Sequence, residues 1–177
     1  GIESAIEAVF GEFEKIAREI AIRTGLKTLI DYSLSPWMNH SVARLLEALG
    51  ARVGKPGFNY VISMVNAYIE KHASRELATG FNEVMLPYAE DSELVKYGER
   101  GLIKARDFLL YASTCVAGVD MVVVSEDVNN LAKLIADTAA IALVKRKPVG
   151  FRAIPVNLKP GEKLKLGKFG KVTVLDY

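Results

Sequence analysis

The sequence predicts an α/β protein, because helical and strand-like hydrophobic patterns alternate along its 177 residues. Half of the residues are hydrophobic and a quarter are charged, which is typical of a domain with a substantial core. The stretch 119–124 is rich in valine and largely apolar, as expected of a strand buried on both faces of a parallel sheet. We therefore expect one α/β domain, or a fragment of one, over residues 1–177, with no internal repeat and no obvious linker.

The first third of the chain predicts three helices and one strand. Apolar residues recur at helical spacing over residues 2–20, and Gly25 is a natural stop for that helix. The apolar run at 26–33 predicts a buried strand. Apolar residues three or four positions apart predict two further helices, at 42–49 and 58–73.

The middle of the chain predicts a short strand, two helices and a second buried strand. The short strand is predicted at 80–86, and Asp91 can cap the short helix that follows it. A fourth long helix is predicted to begin near Asp107. The second buried strand is predicted at 119–124.

The last third of the chain predicts a long helix, a strand and a hairpin. Glu126 and Asp127 can cap a helix whose inner stripe runs over residues 128–142. Residues 148–156 predict the next strand. Residues 157–177 contain two short strand-like runs joined by a glycine-rich turn, so we expect a C-terminal β-hairpin extension there.

Composition excludes several classes of function. The 23 basic and 21 acidic residues are well mixed, with no basic stripe, so we expect no nucleic-acid partner. No run of apolar residues is long enough to suggest a membrane span, and no signal peptide is evident. A single cysteine favours a reducing compartment and a cytoplasmic location. The absence of glutamine, with abundant charged residues, favours a thermophilic source.

Polar side chains are concentrated in three loops that follow apolar, strand-like runs. In α/β proteins the loops at the carboxyl ends of parallel strands form the ligand site, so these loops are the predicted site. The residues predicted to bind a ligand are Asp31, Ser33, Ser35, His40, Ser41, Asn82, Cys115 and Gly118. For Asp31 and the serines, the competing interpretation is local turn hydrogen bonding.

Three carboxylates are the candidate catalytic groups. Glu83, Glu90 and Asp120 could act as a general base, or converge with Asp31 to hold a divalent cation such as Mg²⁺ or Ca²⁺. The sequence does not identify a metal or any other cofactor. For Asp91 we favour helix capping over a role in the site.

Cys115 is either a buried structural thiol or a nucleophile. A catalytic cysteine needs a helix N-terminus or a neighbouring base to lower its pKa, and His40 is the one plausible partner. The helix before Cys115 is expected to present its C-terminal end, which opposes a thiolate. A structural thiol is therefore the favoured interpretation.

Three motifs in order resemble the DUF711 (UPF0210) family. They are residues 32–36 leading into 41–50, residues 80–92, and residues 109–120, and their order and spacing agree from about residue 5 to residue 156. Family members are considerably longer, and the chain looks like their C-terminal half. The resemblance implies part of a larger α/β barrel, similar to the fold of pyruvate formate-lyase type enzymes.

The resemblance implies partners and a class of function, but no reaction. A homo-oligomer, or an N-terminal polypeptide that completes the fold, is the implied partner. We expect the chain to bind or transform a small polar metabolite by carboxylate acid/base or metal-assisted chemistry. The alternative is a non-catalytic ligand-sensing or assembly protein on an enzyme-like fold. Radical chemistry is not expected, because it needs several thiols and Cys115 is the only one.

Overall fold

The computed structural model describes all residues, 1–177, as a mixed α/β fold. Its helices are α1 (Ile2–Thr24), α2 (Val42–Ala48), α3 (Phe58–His72), α4 (Ser92–Glu99), α5 (Asp107–Ala112) and α6 (Val128–Lys145). Its strands are β1 (Val122–Ser125), β2 (Ala153–Val156), β3 (Lys163–Lys165) and β4 (Lys171–Thr173). Single 3₁₀ turns lie at Tyr88–Glu90 and Gly167–Phe169.

Four parallel segments form the sheet, and they pair in chain order. We call them segment A (residues 30–34), segment B (78–85), segment C (117–125, which contains β1) and segment D (150–156, which contains β2). The pairs are Ile30 with Ala78, Leu34 with Val84, Met85 with Ala117, Ala117 with Gly150, and β1 with β2. The order A–B–C–D is open at both ends, and the chain does not close a barrel by itself.

Segments A and B are more irregular than the strands predicted at 26–33 and 80–86. Between the two bridges that join them, residues 31–33 of segment A face the longer stretch 79–83 of segment B. That longer stretch loops around the Asp31 carboxylate. Side-chain acceptors thus replace the regular ladder here, which is why only isolated bridges remain.

The C–D pair is the most regular part of the sheet. Val122 lies opposite Ala153, and the register continues to Ser125 opposite Val156. Regular pairing begins later than the strand predicted at 119–124, because Met121 has a φ of 50° and interrupts the extended backbone. The strand predicted at 148–156 is likewise regular only from Ala153.

The helices begin and end close to where the sequence predicts. Gly25 ends α1 with a φ of 69°, and the Asp91 and Asp127 carboxylates cap α4 and α6. The exception is α5, which has six residues rather than the long helix predicted from Asp107. No helix of the structure is both long and apolar enough to cross a membrane.

The predicted C-terminal hairpin is confirmed, and it belongs to the core. β3 and β4 pair antiparallel, and the Tyr88 hydroxyl donates to the carbonyl of Thr173 at 3.0 Å. Beyond β4, Leu175 pairs in parallel with Val124 on the side of β1 that β2 leaves free. Val172 and Leu175 are buried in the same cluster as the aromatic side chains of the sheet and helices.

Candidate functional site

Three charged side chains from segments B, C and D meet in one cluster, which we call the charged triad: Glu90, Asp120 and Arg152. Glu90 lies just after segment B, while Asp120 and Arg152 lie within segments C and D. Arg152 donates through Nε and Nη2 to the two oxygens of Asp120, with Nη2–Oδ2 at 3.0 Å. Its Nη2 also donates to Oε1 of Glu90 at 3.2 Å. The triad therefore unites two of the three predicted catalytic carboxylates.

Burial differs among the members of the triad. The side chain of Asp120 is 3% exposed and that of Glu90 is 14% exposed, whereas Arg152 is 52% exposed. The hydrogen bond to Asp120 is the main cause that raises the pKa of Arg152, so the guanidinium stays protonated. Both Asp120 oxygens accept from Arg152, while Oε2 of Glu90 and Nη1 of Arg152 have no partner in the protein. These two groups are thus not engaged by the chain itself.

The third predicted catalytic carboxylate, Glu83, lies in a different cluster. Its two oxygens accept from Lys145 at 3.3 Å and from Lys147 at 3.1 Å. Lys145 also donates to the carbonyl of Cys115 at 2.6 Å, so the ammonium ties α6 to the start of segment C. Both oxygens of Glu83 are thus engaged by ammonium groups of the chain itself.

The Glu83 cluster lines a cleft with a volume of about 490 Å³. The cleft lies where α3, α5 and α6 end and the sheet segments begin. Asn66 in its wall accepts from the amide of Val84 and donates to the carbonyl of Thr114, both at 2.7 Å. Asn82 accepts from the amide of Tyr32 at 3.0 Å. Both asparagines therefore hold the backbone together, Asn66 through both atoms of its amide group and Asn82 through Oδ1.

Asp31 and Ser33 support the backbone of segments A and B. The Asp31 carboxylate accepts from the amide and hydroxyl of Ser33 and from the amides of Phe81 and Asn82. Partial burial of Asp31 opposes ionisation, but these hydrogen bonds outweigh it and lower the pKa. A Cβ on Gly80 would lie 2.2 Å from Asp31 Oδ2, so the loop closes tightly around the carboxylate.

Ser41 caps the start of α2. Its hydroxyl accepts from the amide of Arg44 at 2.9 Å and donates to Asp91 at 2.6 Å. Asp91 is fully buried and also accepts from the amide of Ala43, so one carboxylate holds the starts of α2 and α4 together. Capping by Asp91 is confirmed.

Ser35 and His40 are exposed on the loop between segment A and α2. His40 exchanges two backbone hydrogen bonds with Trp37, at 3.0 and 3.1 Å. Lys168 of the C-terminal hairpin lies 4.6 Å from the Trp37 ring, so the hairpin packs beside this loop. Ser35 and His40 are open to solvent and remain candidate ligand contacts.

Cys115 and Gly118 are packing residues at the start of segment C. Cys115 is fully buried, and burial raises the pKa of its thiol to about 12, so the thiol is protonated at neutral pH. The dyad with the exposed His40 is therefore not formed, and the structural interpretation holds. A Cβ on Gly118 would lie 2.4 Å from Cβ of Ala112, which shows that close packing requires glycine.

The predicted convergence of carboxylates around a cation is not formed. No three His, Cys, Asp or Glu side chains of this chain come together as a set of metal ligands. Asp31 accepts hydrogen bonds from its own loop, Glu83 pairs with lysines, and Asp120 pairs with Arg152. Sequence reasoning missed Arg152, because a lone arginine in a predicted strand carries no motif.

Comparison with known proteins places the chain in a family. A family model described as Uncharacterised ACR (DUF711) matches residues 2–167. The chain belongs to the DUF711 family. The match continues past residue 156 into the hairpin, so part of the predicted extension is family sequence.

Relatives of this DUF711 chain are UPF0210 proteins from archaea and bacteria. It is 34% identical to one of Pyrobaculum arsenaticum and 32% identical to one of Methanopyrus kandleri, over 92% of this chain in each case. It is 27% identical to one of Lactococcus lactis subsp. cremoris over 98% of this chain. The matches cover 39%, 38% and 45% of those relatives, so the chain spans about two fifths of their length. No solved structure matches it.

Proposed function

We propose that the chain forms one wall of a binding site for a small polar metabolite, centred on the charged triad. The observation that carries the proposal is the meeting of Glu90, in the turn after segment B, with Asp120 of segment C and Arg152 of segment D. A half-exposed arginine whose orientation is fixed by two carboxylates is pre-organised to bind an oxyanion. A cytoplasmic location suits this role, since the buried, unpaired Cys115 fits a reducing compartment.

The free groups of the triad define the class of ligand. Nη1 of Arg152 can donate to a carboxylate, and Oε2 of Glu90 can accept from a hydroxyl or an amine. The three side chains carry one net negative charge, so a ligand with an acidic group alone would gain little from them. We therefore propose a compact hydroxy acid or amino acid as the ligand.

If the site is catalytic, Glu90 is the proton acceptor. Asp120 cannot take this role as readily, because both its oxygens accept from Arg152. Proton removal next to a carbonyl or hydroxyl of the ligand is the reaction class that this arrangement favours. A divalent cation such as Mg²⁺ or Ca²⁺ would need further oxygen ligands from substrate, water or the rest of the protein.

A titration of the purified protein with a panel of 2-hydroxy acids and 2-amino acids tests this proposal. We expect at least one member to bind by calorimetry, and we expect Glu90→Gln and Arg152→Gln to weaken that binding at least about tenfold. Glu83→Gln is the matched control, because it also removes a paired carboxylate, and it should bind as the wild type does. Failure of the whole panel, or binding that survives both triad substitutions, would overturn the proposal.

The second candidate is a non-catalytic ligand-sensing or assembly protein. The observation that favours it is that Asp31, Ser41 and Asn82 bind backbone groups of the chain itself. Turnover of a bound panel member would exclude this candidate. Binding without turnover, together with unchanged probe molecules after prolonged incubation, would favour it.

A further inference from the structure

Two long helices expose apolar stripes to solvent. On α1, Val9, Phe13, Ile16 and Ile20 are each about half exposed, and they lie beside the buried stripe that contains Phe10 and Ala17. Val9 to Ile20 covers about 16 Å of helix. The stripe contains no charged side chain.

The stripe on α6 is longer. Val128, Ile135 and Leu143 are 76%, 48% and 79% exposed, and Ala132 and Ala139 lie between them on the same face. Only Leu134 and Thr138 of this helix are buried. An exposed helix of a self-contained domain normally places charged residues on such a face, so this stripe indicates a missing contact.

The helices that carry the stripes precede, in the chain, the two outermost segments of the sheet. α1 leads into segment A, which pairs only with segment B, and α6 leads into segment D, which pairs only with segment C. Apolar exposure continues from α1 through Leu26 and Leu29 to the first residue of segment A. A cleft of about 590 Å³ lies beside this connection and includes Ile22 and Leu29. The sheet thus ends at segments A and D, and the helix that precedes each of them in the chain exposes an apolar stripe.

We propose that the two flanks of the chain, each consisting of one apolar stripe and the neighbouring edge segment A or D, are covered by the part of the UPF0210 sequence that this chain does not match. The relatives are more than twice as long as their matched region, so each contains enough further polypeptide to extend an α/β layer. Parallel segments paired in chain order can be extended at either edge by another strand-and-helix unit. Such a unit would add a strand beside segment A or D and pack a helix on the adjacent stripe.

This occupant fits better than a second copy of the chain. Two copies would leave the remaining three fifths of the relatives without a structural role at these flanks. A membrane surface is disfavoured as well, since the stripes have no accompanying basic face. Both alternatives are outcomes of the experiment below.

Single cysteines test the proposal, because the native Cys115 is fully buried and does not interfere. Ile20→Cys and Ile135→Cys place a thiol on each stripe. Ala8→Cys and Asp137→Cys place thiols at exposed positions of the same helices away from the stripes. The protein is isolated as its native assembly, its mass and polypeptides are identified by native mass spectrometry, and the rate of maleimide labelling is measured.

We expect an assembly that contains the remaining UPF0210 sequence, either in the same polypeptide or in a second one. Within it, the stripe thiols should label at least roughly tenfold more slowly than the control thiols. A 19.4 kDa monomer in which all four thiols label alike would overturn the proposal. A dimer of this chain, membrane-bound material, or fast stripe labelling in the presence of the remaining sequence would overturn it equally.

Discussion

Two carboxylates from the predicted ligand loops stabilise the backbone around them. Asp91 accepts from Ser41 and from amides at the starts of two helices, and Asp31 accepts from amides on segments A and B. In both cases the charge is balanced by oriented N–H and O–H dipoles rather than by a cation. These aspartates are therefore expected to contribute to stability more than to ligand binding.

Asp91 is the more deeply buried of the two aspartates, so its replacement is the first test of this contribution to stability. Asp91→Asn keeps the shape but turns an amide N–H₂ toward existing donors, so we expect a loss of about 2–4 kcal/mol in the free energy of unfolding. Urea denaturation measures this loss. Asp137→Asn, at an exposed position of α6, is the control and should change stability by less than about 0.5 kcal/mol. Equal effects of the two substitutions would contradict the capping role.

Asp31 gives a prediction about pH. Its folded pKa is lowered by hydrogen bonds from Ser33, Asn82 and Phe81, so its contribution to stability is fully present above the unfolded pKa of about 3.9. The contribution is lost as the pH falls through the lower, folded value. The difference in unfolding free energy between wild type and Asp31→Asn should thus be constant from pH 5 to 8 and shrink below about pH 4. A difference that grows at acid pH would reverse the sign and contradict this role.

At the scale of residues, the sequence predicted which charged side chains lie near strand ends better than it predicted the residues that pair with them. The strand-end position singled out Glu90 and Asp120 as candidate catalytic groups, and the structure places both in the charged triad, while their catalytic role stays a prediction. It could not show that Glu83 would pair with Lys145, because that contact joins residues 62 positions apart. Arg152 was not predicted either, because its contacts with Asp120 and Glu90 also join residues far apart in the chain and depend on the pairing of segments C and D.

At the scale of elements, Gly98 shows how one helix is fixed against the sheet. Gly98 lies in α4, and a Cβ there would be 2.1 Å from the Tyr88 hydroxyl, which donates to the carbonyl of Thr173. The glycine thus allows α4, the end of segment B and β4 to meet at one point.

Gly98→Ala is therefore expected to destabilise the protein by about 1–3 kcal/mol, although alanine is the better helix former. Gly11→Ala is the matched control, because no atom lies within 4 Å of its added Cβ in α1. We expect that substitution to stabilise by about 0.5–1 kcal/mol. Thermal unfolding of the two variants measures both effects, and a gain in both would show that the Tyr88 contact adds nothing.

Helices were more predictable than strands, for a physical reason. Local periodicity and caps such as Gly25 and Asp127 define a helix within its own sequence. The strands predicted at 26–33 and 80–86 depend on pairing between distant residues, and the Asp31 carboxylate alters the backbone between them. Met121 interrupts the strand predicted at 119–124 in the same way. Alternation of helices and strands predicted the α/β class but no order of the parallel segments, which the structure shows as A–B–C–D.

At the scale of the whole molecule, the chain is an open α/β layer. Its core is continuous from α1 to Leu175, yet α1 and α6, which precede the two edge segments of the sheet, expose apolar stripes. The family resemblance predicted a larger barrel. A piece of such a barrel would leave its two edge strands unpaired, as segments A and D are here. Closure into a barrel remains a proposal, since this chain alone leaves both edges unpaired.

The charged triad and the two stripes make one combined prediction about the intact assembly. If the remaining UPF0210 sequence covers both flanks, it also encloses the space in front of Arg152, which is now half exposed. Enclosure would lower the local dielectric and strengthen the contacts of Arg152 and Glu90 with a ligand.

An experimental structure of the native assembly is the measurement that tests this most directly. We predict further parallel strands beside segments A and D, helices packed on Ile20 and Ile135, and Arg152 facing an enclosed polar cavity. Stripes that face solvent or a second copy of this chain, or an Arg152 that stays at an open surface, would contradict it.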